Sequence, residues 1–413
     1  MGYTTVAIKG ITWIGALRGS TRILAIVRTA ILARILAPGD FGLFGIVTLV
    51  LSLLEILTET GINIVLVQEK KDIEKYINSA WIVSILRGIL IALLILVTAP
   101  FVSSFFRSPE SLNLLFLISL VPFVRGFINP SVVKFQKELK FHMEFFYSFL
   151  GLFTFSLSSI IFALITKDAI SLIFGLIISA AIEMIASHII VVPRPKLEFK
   201  IKYLSRVIHR GKWVTLSGIL DYLFTELDDI IVGRLMNTVS LGIYQVAYKI
   251  STLPISEVTQ VFGKVTFPIY VKISSQSVDN LKRAFLRTTL VIFLIVIPFG
   301  AVLFFFPREI VLIVLGEKWL AAADVLRILA LFGMLKAVST IPFAIFLAVG
   351  KQEYVAFSNL VATLGLAMVV LPLVSMYGLV GAAFSAIFGT VISVPVIIFF
   401  TVKILRQKKH DGF

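Results

Sequence analysis

Between Glu353 and Lys403 the chain carries no charged residue at all. Similar runs recur along it; Gly88 to Phe106 and Leu290 to Phe306 are also free of charge. About twenty predominantly apolar residues are enough for a helix to cross the hydrocarbon core of a bilayer. In water, such runs would need a polar skin that this chain cannot supply. It is 58% hydrophobic and 15% charged, with a mean hydropathy of +1.01, whereas soluble domains carry roughly 25% charge. A soluble cytoplasmic enzyme is therefore excluded. An outer-membrane barrel is excluded too, because its strands alternate apolar with polar residues. The sequence reads as an all-α integral membrane protein.

Twelve hydrophobic segments are expected, near 10–36, 41–66, 77–105, 111–133, 142–166, 169–192, 212–236, 240–271, 285–306, 323–349, 353–375 and 379–405. The net charge of +15 would suggest nucleic acid in a soluble chain. Here it is distributed by loop. Lys70, Lys71 and Lys75 follow segment 2, Lys134, Lys137 and Lys140 follow segment 4, and Lys272, Lys282 and Arg283 follow segment 8. The tail adds Lys403, Arg406, Lys408 and Lys409. Loops after odd-numbered segments offer little beyond Arg107, Lys167, Arg308 and Lys318. Positive charge stays on the cytoplasmic side, so both termini and every even-numbered loop are expected there. The basic charge is a topology signal, and no nucleic-acid partner is implied. With no cysteine in the chain, disulfides and thiolate-bound metal are excluded. No phosphate-binding loop is present, the four histidines lack ligand spacing, and no cofactor is called for.

The longest basic break, 193–212, separates an expected N-lobe (1–192) from a C-lobe (213–413). The lobes echo each other at an offset of 200: Trp13 answers Trp213, Ile31 answers Ile231, Arg34 answers Arg234, and Gly42 answers Gly242. Six segments per lobe bring both lobes back to the same side. The expectation is two parallel six-helix lobes around a central cavity, an arrangement suited to alternating access.

Charge inside the apolar segments is costly and marks function. Segment 1 carries Arg18, Arg22, Arg28 and Arg34 and no acid. At 100° per residue, Arg18 and Arg22 share a face. They would line a cavity that takes an anion, a diphosphate being a good match for guanidinium groups, or they would pair with carboxylates such as Glu55 and Glu59. Arg125 and Lys249 add to the cationic inventory. Segment 7 has the opposite sign, with Asp221, Glu226, Asp228 and Asp229. Asp221 and Asp228 could bind a coupling cation or proton, or pair with arginine. Arg28 and Asp228 occupy equivalent repeat positions, so they could form an outer gate between lobes. The alternative is that each pairs within its own lobe.

The run RTAILARILAPGDFGLFGIVTLVLSLLEILTETGINIVLVQ, from Arg28 to Gln68, resembles the opening of polysaccharide-export flippases. These belong to the multidrug/oligosaccharidyl-lipid/polysaccharide exporter superfamily. KFQKELKFHMEFF, DDIIVGRLMNTVSLGIYQVAYKISTLP, FPIYVKI and YGLVGAAFS resemble later landmarks of that family, with Asn237 standing where glycine is common. The resemblance implies movement of polyprenyl-diphosphate-linked oligosaccharide to the outer leaflet for lipopolysaccharide, exopolysaccharide or related polymers. It implies membrane lipids as surroundings and a polysaccharide polymerase as a candidate partner. Two other readings stay open. An ion-coupled multidrug exporter would want acids where segment 1 has arginines. An integral-membrane glycosyltransferase or polymerase would want a large outer loop or an acidic metal motif.

Overall fold

The computed structural model describes residues 3–59, 74–138, 140–197, 218–219, 221–274 and 278–406. Side chains of 3–14, 16–18, 74–75, 278 and part of 253–268 fall outside that description. Every regular element among the described residues is helical. The chain divides into two compact units, Met1–Ile219 and Leu220–Phe413.

The first unit holds α1 (Tyr3–Ile35), α2 (Pro38–Leu57), α3 (Glu74–Phe105), α4 (Ser111–Ile118), α5 (Leu120–Gly126), α6 (Val133–Lys137), α7 (Phe141–Thr166) and α8 (Ile170–Ile190). Pro38 starts α2 with its φ already helical, and the Asp40 carboxylate accepts the Ala37 N–H at 2.8 Å. The helix ends at Leu57, where the Thr58 hydroxyl donates to the Leu54 carbonyl at 2.7 Å, and 60–66 of the expected segment lie outside the described residues. The expected fourth segment is bent rather than straight. Ser111–Gly126 and Pro130–Lys137 meet at 67°. Pro130 cannot continue the preceding helix, and the Asn129 side chain accepts the Ser131 N–H at 2.9 Å to start the next turn.

The second unit holds α9 (221–235), α10 (Thr238–Ser274), α11 (Val278–Phe305), α12 (Pro307–Val314), α13 (Ala322–Thr340), α14 (Phe343–Ala348) and α15 (Gln352–Arg406). The expected segments 353–375 and 379–405 run together in α15. The join is Gly378, whose φ of 59° lies in the left-handed region that only glycine enters at little cost. The chain folds back there. A methyl at Gly365 would sit 3.2 Å from the Gly389 Cα, so the two arms of α15 touch backbone to backbone through small residues.

At least seven of the described helices are long and apolar enough to cross a membrane, or eight with the bent pair counted as one span. Their outward faces carry Val97, Phe101 and Met368 at 76%, 72% and 76% exposure. Lipid, not water, suits such a surface. Several threonine hydroxyls inside these helices turn back on their own backbone. Thr48 donates to the Phe44 carbonyl, Thr154 to Leu150, Thr363 to Asn359 and Thr390 to Ala386, at 2.7–3.0 Å. The molecule is a multi-pass α-helical membrane protein.

Candidate functional site

In the first unit, α3 and α5 cross at two glycines. A methyl at Gly88 would lie 2.5 Å from the Pro122 carbonyl oxygen and 3.0 Å from the Gly126 Cα. Each glycine is preceded by an arginine, so this contact brings Arg87 and Arg125 to one cavity of about 550 Å³. The end of α2 closes its other side with Glu55 and Glu59. The two arginines are held differently. Arg87 is bound to the end of α2: Nη2 donates to the Glu55 carbonyl at 2.6 Å and to Glu59 Oε2 at 3.1 Å, and Nε donates to the Thr58 hydroxyl at 3.2 Å. The last carbonyls of a helix have no intrahelical donors, and a cation there also offsets the helix dipole. Arg125 is joined to the Glu55 side chain at a single contact of 3.3 Å, with both side chains 35% exposed.

Elsewhere in the same unit, the Arg28 guanidinium lies 4.2 Å from the Phe155 ring centroid on α7, a cation–π contact. Its Nη1 is buried with no hydrogen-bond partner among the described residues. Glu183 on α8 accepts the Ser179 hydroxyl at 3.0 Å and packs on Gly151 of α7, where a larger side chain would have to displace the Glu183 carboxyl.

The second unit contains a cluster of opposite sign. Asp228 and Asp229 are 2% and 7% exposed. Tyr244 Oη donates to Asp228 Oδ2 at 2.6 Å, and Gln245 Nε2 donates to Asp229 Oδ2 at 3.3 Å. Residues 228 and 229 are separated from 244 and 245 by sixteen positions, spanning the turn from α9 into α10, so the two helices are tied twice. Asp229 Oδ1 is buried with no donor among the described residues. Facing them from α13 is Lys336. Its ammonium donates to Tyr248 Oη at 3.3 Å and lies 5.3 Å from the rings of Phe224 and Phe332 and 5.9 Å from that of Tyr248. Aromatic faces stabilise a desolvated cation, and the nearby carboxylates of Asp221, Glu226 and Asp228 balance its charge.

A family of proteins described as polysaccharide biosynthesis protein matches residues 31–324. The chain belongs to that family. Among relatives of this polysaccharide biosynthesis protein, the teichuronic acid biosynthesis protein TuaB of Bacillus subtilis (strain 168) is 23% identical over 357 residues. The match covers 85% of this chain and 73% of the relative. The lipopolysaccharide biosynthesis protein WzxC of Escherichia coli (strain K12) is 24% identical over 318 residues, covering 76% of this chain and 64% of its own length. The fold is similar to a solved structure of the lipid II flippase MurJ in an inward closed conformation. The TM-score is 0.80 at 16% identity, covering 95% of this chain and 88% of that one.

The structure of this family member brings some of the sequence-derived residues together and leaves others apart. Arg125 lines the cavity of the first unit. Arg22 sits partly exposed on α1, and the Arg18 side chain lies outside the described residues. Arg28 and Asp228 each engage a partner in their own unit, Phe155 and Tyr244. Asp221 and Lys249 are exposed, on α9 and α10. Neither Arg87 nor Lys336 is among the residues that the sequence marks as candidates. Arg-Gly occurs at 18–19, 87–88, 125–126 and 210–211, so the dipeptide alone did not mark Arg87. The rule applied to segment 1, that charge within an apolar helix marks function, would have flagged Lys336 together with Asp324 and Arg327 of α13.

Proposed function

We propose that this protein is a flippase that moves polyprenyl-diphosphate-linked oligosaccharide repeat units from the cytoplasmic to the outer leaflet for polysaccharide biosynthesis. The observation that carries the reading is a cavity bearing two guanidinium groups, Arg87 and Arg125, within the membrane-spanning helices of a polysaccharide biosynthesis family member. Guanidinium is the side chain of choice for phosphate oxygens, and the lipid tail needs no aqueous path. The names of the relatives fit: one is a teichuronic acid and one a lipopolysaccharide biosynthesis protein.

In this reading the chain has twelve spans in two parallel six-helix lobes, with both termini cytoplasmic, and works by alternating access. Arg18, Arg22, Arg125 and Lys249 contact the anionic headgroup. Asp221 and Asp228 belong to a coupling site for a cation or proton. Arg28 and Asp228 meet at the outer gate during the cycle. A charge swap tests that gate: Arg28→Asp with Asp228→Arg should restore export lost in either single variant. The buried carboxylates raise the alternative of a cationic-drug exporter. It is the weaker reading, because Tyr244, Gln245 and Lys336 already engage them.

The test is reconstitution. Proteoliposomes containing the full chain and a fluorescent polyprenyl-diphosphate glycan should show protein-dependent loss of protection from an external glycan-cleaving enzyme. Equal rates with and without protein would end the proposal.

A further inference from the structure

The two arginines of the first-unit cavity differ in what holds them. Arg87 donates three hydrogen bonds to the end of α2. Those three bonds fasten Arg87 to the end of α2, so releasing it to a ligand would break all of them at once. Arg125 makes one contact to one carboxylate oxygen, Glu55 Oε1, at 3.3 Å. That is longer than the 2.7–2.9 Å typical of a charge-assisted bond, and it uses one edge of a fork that can hold two oxygens. Both side chains are 35% exposed, toward a cavity of about 550 Å³.

We propose that Glu55 is the resident counter-ion of a ligand site, and that an oxyanion of the transported substrate takes its place on Arg125 while Arg87 remains fixed to α2. The inference rests on the flippase reading above. A carrier must return empty, and an arginine in a membrane-embedded cavity without an anion is costly. Glu55 supplies that anion between cycles. Exchange of one carboxylate for another oxyanion replaces like with like, so the net gain on loading is small and unloading stays easy. The backbone carbonyl of Glu55 is held by Arg87 at 2.6 Å. Its side chain can therefore swing aside while its Cα stays in place. Arg87 is a positioning residue in this scheme; Arg125 is the ligand residue. A neutral molecule cannot displace Glu55 from Arg125, which makes the pair a filter for anionic substrates.

The oxyanion could be the diphosphate linkage or an acidic sugar, and the experiment separates them. The full chain in nanodiscs is titrated calorimetrically with farnesyl diphosphate and, separately, with an alkyl glucuronide. Glu55→Gln removes the competing charge, and the preferred ligand should bind about five-fold more tightly, the worth of a part-exposed ion pair. Arg125→Gln should weaken the same ligand by about ten-fold or more. Arg87→Lys, which keeps a donor at the end of α2, should lower the unfolding temperature. The ligand whose affinity responds to Glu55 and Arg125 is the one the site takes. If neither probe binds the wild-type chain, the flippase reading itself fails. If a probe binds, and Glu55→Gln leaves its affinity unchanged or weakens it, the counter-ion proposal is overturned and the flippase reading stands.

Discussion

Replacing Gly88 with alanine should push α3 and α5 apart. The added Cβ would lie 2.5 Å from the Pro122 carbonyl oxygen and 3.0 Å from the Gly126 Cα. A relaxed carbon–oxygen contact is about 3.4 Å, which leaves a deficit of roughly 0.9 Å. Both neighbouring atoms are backbone, so no side-chain rotation relieves the clash and the helices themselves must move. Overpacking of this kind costs about 1–3 kcal/mol. For a unit of Met1–Ile219, that corresponds to a melting temperature lower by roughly 2–10 °C. The same movement displaces Arg125, one residue from the contact, relative to Glu55 on α2. Their 3.3 Å ion pair has little slack to absorb it. Export should therefore fall even where the protein still inserts. The assay is fluorescence-monitored thermal unfolding of the detergent-solubilised chain, paired with export in a strain lacking the native gene. Gly19→Ala is the control, since its Cβ would meet nothing within 4 Å. Wild-type melting and wild-type export from Gly88→Ala would refute the claim that the glycine crossing sets the arginine cavity.

Tyr244→Phe removes the donor at 2.6 Å from the buried Asp228 carboxylate, and an orphaned buried acceptor should cost about 1–3 kcal/mol in thermal or denaturant unfolding. Lys336→Met should destabilise the second unit by about 2 kcal/mol or more, by leaving its carboxylates without their ammonium. Adding Asp228→Asn should recover part of the loss in the same assay, whereas a purely steric role for Lys336 predicts no recovery. A reporter fused after His410 should read cytoplasm and one inserted near Ser108 should read outside; the reverse pattern would sink the proposed orientation.

The apolar runs and the alternation of basic loops made the membrane class and most helix positions legible, because hydropathy is a local property of the chain. The bend near Pro130 was also written locally, in a proline after Asn129. What could not be read was which helix faces meet. Arg87 and Arg125 are far apart in sequence, and their shared cavity depends on a glycine crossing that neither helix encodes alone. Glu55 was considered as a partner for Arg18, Arg22 or Arg28; the structure pairs it with Arg125. Charge told the sign of the partner and nothing of its identity, since several arginines lie at similar depths. In α9 the acids were visible, but their donors sit on α10 and α13, reached only by tertiary folding.

The hydroxyls that bond to carbonyls one turn back on their own helices bear on how such a protein can move. A hydrogen bond between two helices inside a membrane acts as a latch, because no water is at hand to replace it when the helices part. Thr48, Thr154, Thr363 and Thr390 make no such latch with these bonds: donor and acceptor travel together on one rigid element. Sliding or tilting a helix past its neighbour leaves them intact. The resistance to repacking then comes from van der Waals contact and from a few charged or amide ties, such as those of Arg87, Arg125 and Asp228. The hydroxyls work as a lubricant, and the energy landscape between alternative packings is ruled by the handful of polar contacts that do cross from one helix to the next.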